Sequence, residues 1–262
     1  MNFSRIIAIV NQKGGVGKTT TSINLAAALA LQGKRVLLID IDPQGNASTG
    51  LGLSRSQREQ TIYHVMTEGL PIDDAIQATD VPNLSIVPSH VDLSAAEMEI
   101  GSVDGRTIIL REALKASQTK FDYVLIDCPP SLNLLTINAL AAARSVIVPL
   151  QCEFFALEGL SQLLKTVEMA KGSINPALAI DGVMLTMYDR RNRLSSQVAD
   201  DVRKHLGRAV FKTMIPRNVR IAEAPSFGQP VMVYDPNCSG ARAYMNLAKE
   251  MLHKHRNRKQ IH

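Results

Sequence analysis

The chain has 262 residues, of which 45% are hydrophobic and 20% are charged, an ordinary globular composition that excludes a disordered chain. Its longest apolar stretches, such as residues 6–10 and 146–150, are far shorter than the roughly 20 residues that a membrane-spanning helix needs. The N-terminus lacks the pattern of a secretory signal, so we expect a cytoplasmic protein. No linker rich in Pro, Gly or Ser divides the chain, which predicts a single domain over residues 1–262.

Positive charge is concentrated in the C-terminal part of the chain. Residues 1–188 contain 14 Lys and Arg against 18 Asp and Glu, whereas residues 189–262 contain 15 against 6. The net charge of +5 therefore comes from a basic region that begins at about residue 189. Such a region suggests a surface for a polyanion, either nucleic acid or anionic lipid. A solvated charged face without a partner is the alternative that charge alone leaves open.

The three cysteines, Cys128, Cys152 and Cys238, lie far apart and form no CxxC pair. This spacing argues against a disulfide framework and against a cysteine metal site, so we interpret them as packing thiols. The six histidines show no metal-binding spacing either.

The predicted elements begin with a strand, a turn and a helix in succession. Residues 6–10 form a short β-branched run, and Ile23, Ala27 and Ala30 then recur at helical spacing within residues 20–31. A second apolar strand at residues 35–41 completes a βαβ unit. Further strands are predicted at residues 84–87, 123–127, 145–150 and 180–186, and helices at residues 93–101, 105–118, 132–143 and 156–171.

Continuous apolar strands of this kind are typical of parallel sheets that are covered on both faces. The alternation of strands and helices therefore predicts an α/β fold, a doubly wound, mostly parallel sheet with helices on both faces. Residues 50–82 are less regular, and their elements are not predicted.

A glycine-rich loop follows the first strand. It reads KGGVGKTT over residues 13–20 and opens directly onto the predicted helix. The glycines let backbone N–H groups surround a phosphate, and a helix N-terminus favours its negative charge. Lys18 is expected to neutralise the β and γ oxygens of a nucleotide, and Thr19 to bind Mg²⁺. The nucleotide-binding residues predicted here are Lys13, Gly14, Gly15, Val16, Gly17, Lys18, Thr19 and Thr20.

The loop departs from the strict Walker A pattern at Gln12, where that pattern has Gly. With Lys13 five residues before Lys18, the loop resembles the deviant Walker A form instead. In proteins with that form, the earlier lysine reaches the phosphates of the partner subunit in a dimer. The resemblance implies a SIMIBI-like P-loop NTPase in which Lys13 acts across a dimer.

Acidic residues end two of the predicted strands. Asp40 and Asp42 lie two residues apart after the second strand, so they project to the same side of an extended chain. Asp127 ends a later apolar strand in the manner of a Walker B element, which holds Mg²⁺ through water. The carboxyl ends of strands are where α/β sheets bind ligands. Capping of the following turn is the alternative for each carboxylate taken singly.

Six blocks spread over the chain carry a wider resemblance. They read KGGVGKTTT at 13–21, DIDPQGNAS at 40–48, LIDCPPS at 125–131, LTINAL at 135–140, PLQCEFFALEGLSQLL at 149–164 and IPRNVRIAEAPSFGQPV at 215–231. Together they resemble the ParA/Soj family of chromosome and plasmid partitioning ATPases over nearly the whole chain.

The resemblance implies ATP and Mg²⁺ as cofactors and hydrolysis of ATP to ADP and phosphate, slow in the protein alone and stimulated by a ParB-like centromere-binding partner. Lys13, Lys18 and Asp42 are the implied catalytic residues, with Asp42 orienting the attacking water. Asp127 is the implied Walker B carboxylate, and Asp40 is a further candidate at the metal. Pro216 and Asn218 are the implied adenine contacts.

Family members bind double-stranded DNA non-specifically as ATP-bound homodimers, which implies a nucleoid-associated protein. Arg191 matches the family's DNA-contacting arginine most closely, and we extend the hypothesis to Arg190, Arg193 and Arg220. The chain has no Trp and few aromatic residues here, so we expect phosphate contacts rather than base stacking. Arg217 and Arg242 are candidates for either the nucleotide site or the dimer interface, and the sequence does not decide between these two roles.

Two alternatives belong to other functional classes. A MinD-like, membrane-associated positioning ATPase needs a C-terminal amphipathic helix with a bulky apolar face, whereas the tail HKHRNRKQIH at residues 253–262 is basic and almost without apolar anchors. We therefore expect no stable membrane insertion. The other alternative is a metabolic or redox ATPase. An iron-protein-like member of that class needs cysteines that hold a cluster between subunits, and no convincing second ligand accompanies Cys128.

Overall fold

The computed structural model describes residues 4–101 and 104–259. Residues 1–3, part of the N-terminus for which we expect no secretory signal, lie outside the described residues. So do residues 260–262, the end of the basic tail. Among the described helices, none is both long enough and apolar enough to cross a membrane.

Within the described residues, seven strands form one sheet in the order β3-β4-β2-β5-β1-β6-β7. The strands are β1 (Arg5–Ile9), β2 (Val36–Asp40), β3 (Gln77–Ala78), β4 (Leu84–Val87), β5 (Tyr123–Asp127), β6 (Ser145–Gln151) and β7 (Ala179–Thr186). β3 pairs antiparallel with β4, and the pairings of the other strands are parallel. The predicted doubly wound, mostly parallel sheet is confirmed.

The helices that connect and cover these strands are, in the described part of the chain, α1 (Lys18–Leu31), α2 (Asn46–Gly50), α3 (Ile62–Thr67), α4 (Leu93–Glu99), α5 (Ile109–Ala116), α6 (Leu134–Ala142), α7 (Ala156–Ser173), α8 (Arg193–Leu206), α9 (Val219–Glu223), α10 (Val231–Tyr234) and α11 (Ser239–Lys259).

Every residue of β2 and β5 is buried, because helices pack on both faces of the sheet. One hydrophobic cluster joins Ile39 and Val124 to the buried faces of α3, α4, α6 and α7. The other joins Leu38 and Leu125 to α1 and α11. Successive strand residues thus enter opposite cores, which explains why these strands have continuous apolar sequences rather than alternating ones.

Several elements differ from the sequence-based prediction. β4 and β5 have the predicted bounds, while the helix expected at 105–118 is limited to Ile109–Ala116. The irregular segment contains α3, two short 3₁₀ turns and β3. A two-residue edge strand such as β3 offers too short a pattern for recognition.

The long C-terminal helix α11 was not predicted, because its basic end hides an apolar face. Tyr244, Leu247 and Met251 on that face are fully buried and belong to the same cluster as α1. Their spacing of three and four residues is the helical signal that the sequence does contain. The described part of the predicted basic tail therefore continues a packed helix.

Parallel strand order brings three distant segments to one edge of the sheet. β5 lies between β1 and β2, and Asp127 is in register with Ile9 on one side and Asp40 on the other. The carboxyl ends of these strands consequently place the glycine-rich loop beside both acidic segments.

Candidate nucleotide-binding site

The glycine-rich loop connects β1 directly to α1. Gly17 is the N-cap of α1 with φ of 90°, and Gly15 has φ of 74°, a conformation that favours glycine. A Cβ added at Gly14 or Gly15 would meet no protein atom within 4 Å. The loop therefore surrounds open space at a helix N-terminus, as a bound phosphate requires.

Hydrogen bonds from neighbouring strands hold this loop in place. The Thr186 hydroxyl at the end of β7 donates to the Val16 carbonyl at 2.9 Å. Asn11 donates from Nδ2 to the Pro149 carbonyl at 2.7 Å, and its Oδ1 accepts from the Lys13 backbone N–H at 3.0 Å. The loop is thus fixed by the body of the fold, although the sequence pointed to neither Asn11 nor Thr186.

Lys18 is buried, and its ammonium group folds back over the loop. Its Nζ donates to the Lys13 carbonyl at 3.1 Å. Burial lowers the pKa of Lys18, and the negative charges of Asp127 and Asp42 partly oppose this shift. The structure therefore brings the predicted phosphate-binding lysine together with two of the predicted carboxylates.

Asp127 is fully buried, and one of its oxygens has no hydrogen-bond partner among the described residues, although the Thr19 side chain lies near enough to affect its pKa. Its Oδ1 accepts a hydrogen bond from the Ser22 hydroxyl at 2.7 Å, while Oδ2 has no hydrogen-bond partner in the described structure. Burial, followed by the charge of nearby Asp40, raises the pKa of Asp127 to about 8. A buried carboxylate oxygen without a partner fits a position beside a hydrated Mg²⁺, whose charge would favour the ionised form.

Asp40, also fully buried, has both carboxylate oxygens engaged. Oδ2 accepts from the Ser48 N–H at 2.8 Å and from the Ser48 hydroxyl at 2.7 Å, and Oδ1 accepts from the Asp42 N–H at 3.3 Å. Burial is the main cause that raises the pKa of Asp40 to about 6, and these hydrogen bonds oppose it. This arrangement favours a role for Asp40 in shaping the Asp42 turn over direct contact with a metal.

Asp42 lies two residues after the end of β2 and is only 8% exposed. Its Oδ1 accepts from the Gln44 N–H at 3.0 Å, which orients the carboxylate. Its negative charge partly opposes the lowering of the Lys18 pKa by burial, and it adds to the rise of the Asp127 pKa, so the three groups lie near one another. A carboxylate so placed is able to accept a proton or a hydrogen bond from a water molecule near a phosphate on Lys18.

Lys13 points away from this cluster. Its side chain is half exposed, and its ammonium group forms an ion pair with Glu153, in the loop after β6. Glu153 lies within one of the blocks that carry the ParA/Soj resemblance, but nothing in the sequence pairs it with Lys13. The predicted contact of Lys13 with a partner's nucleotide stays a prediction.

The segment expected to contact the adenine, which contains Pro216 and Asn218, is bonded to the chain just after β7, the strand whose end also holds the glycine loop. Tyr188, two residues after Thr186, forms a β-bridge with Pro216. Asn218 caps α9, where its Oδ1 accepts from the Arg220 and Ile221 N–H groups at 2.9 and 3.3 Å, and its Nδ2 donates to Ser239 at 2.9 Å. The capping explains the local conformation, while contact with a base stays a prediction.

The predicted DNA-binding arginines fall into two settings. Arg190, Arg191 and Arg193 lie together where β7 leads into α8, and all three are exposed. Asp189 accepts from Arg191 through both oxygens, at 3.2 and 3.1 Å, and the Arg191 side chain is still 91% exposed. Arg220, by contrast, forms ion pairs with Glu223 at 2.9 Å and Asp235 at 3.4 Å on and beside α9.

A parallel α/β sheet with this loop, lysine and buried carboxylate at the carboxyl ends of its central strands defines a P-loop nucleotide-binding protein. Comparison with known proteins makes the class more specific. A family model described as an AAA domain matches residues 4–180. The chromosome partitioning protein ParA of Caulobacter vibrioides is 58% identical over 256 residues, which cover 97% of this chain and 96% of that protein. The chain belongs to the ParA/Soj family of chromosome partitioning ATPases.

Other relatives agree with this assignment. The sporulation initiation inhibitor protein Soj of Bacillus subtilis is 53% identical over 247 residues, 94% of this chain and 98% of that protein. Among solved structures, cobyrinic acid a,c-diamide synthase of Mycobacterium smegmatis with ADP and magnesium has a TM-score of 0.83 at 37% identity, covering 95% of this chain and 94% of that one. The Pyrococcus furiosus cell division ATPase MinD has a TM-score of 0.79 at 31% identity, with coverage of 95% and 98%.

Proposed function

We propose that this partitioning ATPase hydrolyses ATP with Mg²⁺ and that its ATP-bound homodimer binds DNA non-specifically. The observation that carries the proposal is the grouping of Lys18, Asp42 and Asp127 beside an open glycine loop. Solved relatives of the same fold contain ADP or an ATP analogue with magnesium, which supports the choice of cofactors.

Each group in the site has a defined task in this proposal. The loop N–H groups and Lys18 hold the β- and γ-phosphates, and Thr19 and Asp127 hold the metal, Asp127 through water. Mg²⁺ supplies charge neutralisation at the phosphate oxygens when it is bound. Asp42 orients the attacking water, while the rigid loop prevents the phosphates from moving away during the reaction.

The ion pair between Lys13 and Glu153 supports a role for dimerisation. With Lys13 engaged by its own chain, the site of a single subunit lacks the second lysine of the deviant Walker A form. In the proposed dimer, Lys13 leaves Glu153 and reaches the partner's nucleotide. A slow basal rate follows, and a ParB-like centromere-binding protein would accelerate hydrolysis by completing or stabilising that arrangement.

DNA affinity would follow the nucleotide state because dimerisation doubles the number of phosphate contacts. Arg190 and Arg191 lie on an exposed loop, and Arg193 begins α8 directly after it. This segment follows Thr186, whose hydroxyl bonds to the glycine loop. Two such loops side by side neutralise twice as many phosphates, and the logarithm of affinity depends linearly on that number. The dimer would bind the nucleoid with ATP and leave it after hydrolysis.

The direct test is the affinity for an arbitrary DNA duplex with ATP and with ADP, each at two salt concentrations. We expect tight, salt-sensitive binding with ATP and much weaker binding with ADP. Arg191→Glu should weaken the ATP-dependent binding without affecting ATP-dependent dimerisation, and Lys165→Glu on α7 is a matched charge control. Equal affinity for DNA with either nucleotide would contradict the proposed switch.

The MinD-like alternative depends on an apolar surface for the bilayer. In the described part of α11, the large apolar residues Tyr244, Leu247 and Met251 already pack in the core. Binding to anionic liposomes in the presence of ATP, without binding to DNA, would favour that alternative.

A further inference from the structure

Arg58 is a buried cation that lies in the segment for which the sequence predicted no elements. It directly follows the 3₁₀ turn Arg55–Gln57 and is only 7% exposed. It forms no ion pair with a carboxylate in the described ranges 4–101 and 104–259. Burial lowers the pKa of Arg58, and the charge of Asp40 opposes this shift. A buried cation destabilises the fold unless neighbouring groups compensate it, so the partners of Arg58 indicate what it does.

The guanidinium group of Arg58 donates to acceptors on two segments. Its Nη2 donates to the Thr49 hydroxyl at 2.7 Å and to the Leu53 carbonyl at 2.8 Å, and its Nη1 donates to the Ser89 carbonyl at 3.4 Å. Thr49 lies in α2, Leu53 lies three residues after α2, and Ser89 lies two residues after β4. Arg58 therefore joins the segment around α2 to the carboxyl edge of the sheet, where the nucleotide site lies.

One path of hydrogen bonds leads from Arg58 to the backbone carbonyl of Asp42. The Thr49 hydroxyl, which accepts from Arg58, donates to the Gly45 carbonyl at 3.1 Å. The Gly45 N–H donates in turn to the Asp42 carbonyl at 2.9 Å. Gly45 has φ of 62°, and a Cβ added there would collide with the Arg58 guanidinium. The guanidinium therefore packs directly against the turn that presents Asp42.

A second path leads from Arg58 to the backbone N–H of Asp42. The Ser89 N–H donates to the Ser48 hydroxyl at 3.1 Å, and that hydroxyl donates to Asp40 Oδ2 at 2.7 Å. Asp40 Oδ1 accepts from the Asp42 N–H at 3.3 Å. Because Ser89 also accepts from Arg58, both paths start at one guanidinium group and end on the backbone of Asp42.

Arginine suits this arrangement better than lysine does. A guanidinium is planar and presents its N–H donors in a fixed fork, whereas all the donors of a lysine are on one nitrogen atom. Nη1 and Nη2 of Arg58 bind the segment after β4 and the segment after β2, respectively. A lysine would reach one of these segments, and an apolar side chain would bind neither.

We propose that Arg58 is a positioning residue for ATP hydrolysis, which fixes the turn at residues 40–45 so that the Asp42 carboxylate faces the attacking water. The inference rests on the proposed function, because it takes Asp42 as the group that orients this water. The side-chain hydrogen bonds of Arg58 go to Thr49, Leu53 and Ser89 rather than to the glycine loop, so ATP binding should not need Arg58. A displacement of a reacting group by about 1 Å slows a reaction by up to about 100-fold, so loss of Arg58 should affect the hydrolysis step.

The test is a double-mutant cycle on the rate of phosphate release from ATP in a single turnover of the full chain. Arg58→Met fills a similar volume without the hydrogen bonds, and it is compared with Asp42→Ala and with the double variant. Arg55→Met is the matched control, because Arg55 is exposed and lies three residues away on the same segment. ATP affinity, ATP-dependent dimerisation and thermal unfolding are measured on the same samples.

We expect Arg58→Met to release phosphate about 10-fold more slowly than the wild type, while its ATP affinity and dimerisation stay within about 2-fold. In the Asp42→Ala background the same change should alter the rate by less than about 2-fold, because Arg58 acts through Asp42. A merely structural role would slow both backgrounds equally. Arg58→Lys should restore only a part of the rate, and Arg55→Met should behave as the wild type does.

Thr49→Val tests the first path through an exposed residue, and so without altering the core. It removes the hydroxyl that joins Arg58 to Gly45, and we expect phosphate release to slow by about 3- to 10-fold at unchanged ATP affinity. Thr49→Ser, which keeps the hydroxyl, should retain the wild-type rate. This pair of variants tests the inference even if Arg58→Met does not fold.

Failure of this inference is distinguishable from failure of the proposed function. Phosphate release at the wild-type rate by Arg58→Met, or by Thr49→Val if the first variant does not fold, would overturn the role of Arg58. Equal slowing by Arg58→Met with and without the Asp42 carboxylate, or loss of ATP binding by the folded variant, would also overturn it. In these cases slow hydrolysis by Asp42→Ala would leave the proposed function intact, whereas rapid hydrolysis by Asp42→Ala would contradict the role of Asp42 itself.

Discussion

At the scale of single residues, the ion pair between Lys13 and Glu153 joins positions 140 residues apart. It is solvent-accessible, and pairs of this kind contribute about 0.2–1 kcal/mol. Such an interaction is strong enough to bias Lys13 toward its own chain and weak enough to break when a partner's phosphates approach. In the proposed dimer, Glu153 would release Lys13 to the partner's nucleotide.

We expect Glu153→Gln to lower the ATP concentration needed for dimerisation by about 2- to 5-fold, because the competing ion pair is lost. Lys13→Ala should abolish ATP-dependent dimerisation. Analytical ultracentrifugation over an ATP titration measures both effects, with Glu158→Gln on α7 as a control. Unchanged or weaker dimerisation of Glu153→Gln would show that Glu153 does not restrain Lys13.

Asp127 makes the stability of the nucleotide-free protein depend on pH. Its pKa rises from the ordinary 3.8 to about 8 on folding, so its protonated form is favoured in the folded state. Its stabilising contribution is complete below about pH 4 and is lost as the pH rises toward 8.

Asp127→Asn should therefore gain in thermal stability relative to the wild type as the pH rises from 5 to 8, when measured without nucleotide and Mg²⁺. Asn keeps an oxygen for the Ser22 hydroxyl, so the change is conservative. A series of unfolding temperatures over this range tests the effect. If the difference in unfolding temperature between Asp127→Asn and the wild type stayed constant from pH 5 to 8, Asp127 would be ionised in the nucleotide-free folded protein.

At the scale of elements, the end of β7 connects three parts of the site. Thr186 bonds to the glycine loop, and Tyr188 accepts from the Arg217 N–H at 3.1 Å and donates to the Ile215 carbonyl at 3.0 Å. Met187 between them has φ of 51°, which is unusual for a residue other than glycine. The basic loop at residues 189–193 follows at once, so β7 joins the nucleotide site to the proposed DNA surface.

Thr186→Val should lower the free energy of unfolding by about 1–2 kcal/mol, because the buried Val16 carbonyl loses its donor. ATP affinity should fall several-fold as the loop becomes less ordered. Thr186→Ser, which keeps the hydroxyl, should restore both properties. Denaturant unfolding and ATP titration provide the measurements. If Thr186→Val bound ATP as tightly as the wild type does, the hydrogen bond from β7 would not be needed to order the glycine loop.

At the scale of the whole molecule, the two edges of the sheet carry different chemistry. The carboxyl edge combines Lys18 with buried carboxylates, whereas the amino edge gathers exposed cations. In the proposed cycle, ATP binding and dimerisation act at the carboxyl edge.

Asp42→Ala is expected to bind ATP normally and to remain as a DNA-bound dimer, because the attacking water loses its orienting carboxylate. The rate of phosphate release should fall by at least about 100-fold, within the range for loss of a general base. Lys18→Ala should instead lose nucleotide binding. Phosphate release and DNA residence time, measured on the same samples, distinguish the two variants. Rapid ATP hydrolysis by Asp42→Ala would show that Asp42 does not orient the attacking water.

Much of the nucleotide site was predictable because it is encoded by neighbours in the sequence. The loop at residues 13–20 has its glycines, lysine and threonine at fixed spacing, and Asp42 and Asp127 each follow a recognisable apolar strand. Helical and extended periodicities also indicated most elements of the N-terminal two thirds of the chain. Helix α11 was not predicted, because its buried apolar face is narrow and the rest of its surface is strongly basic.

The sequence by itself determined the fold class, the phosphate-binding loop and the acidic strand ends, since each depends on residues a few positions apart. Only the tertiary structure decided which distant groups meet. Residues 1–188 are net negative, yet seven of their 14 Lys and Arg line one open cleft near the beginnings of the central strands. Strand order collects these cations from separate turns, and no local pattern in the sequence contains that order.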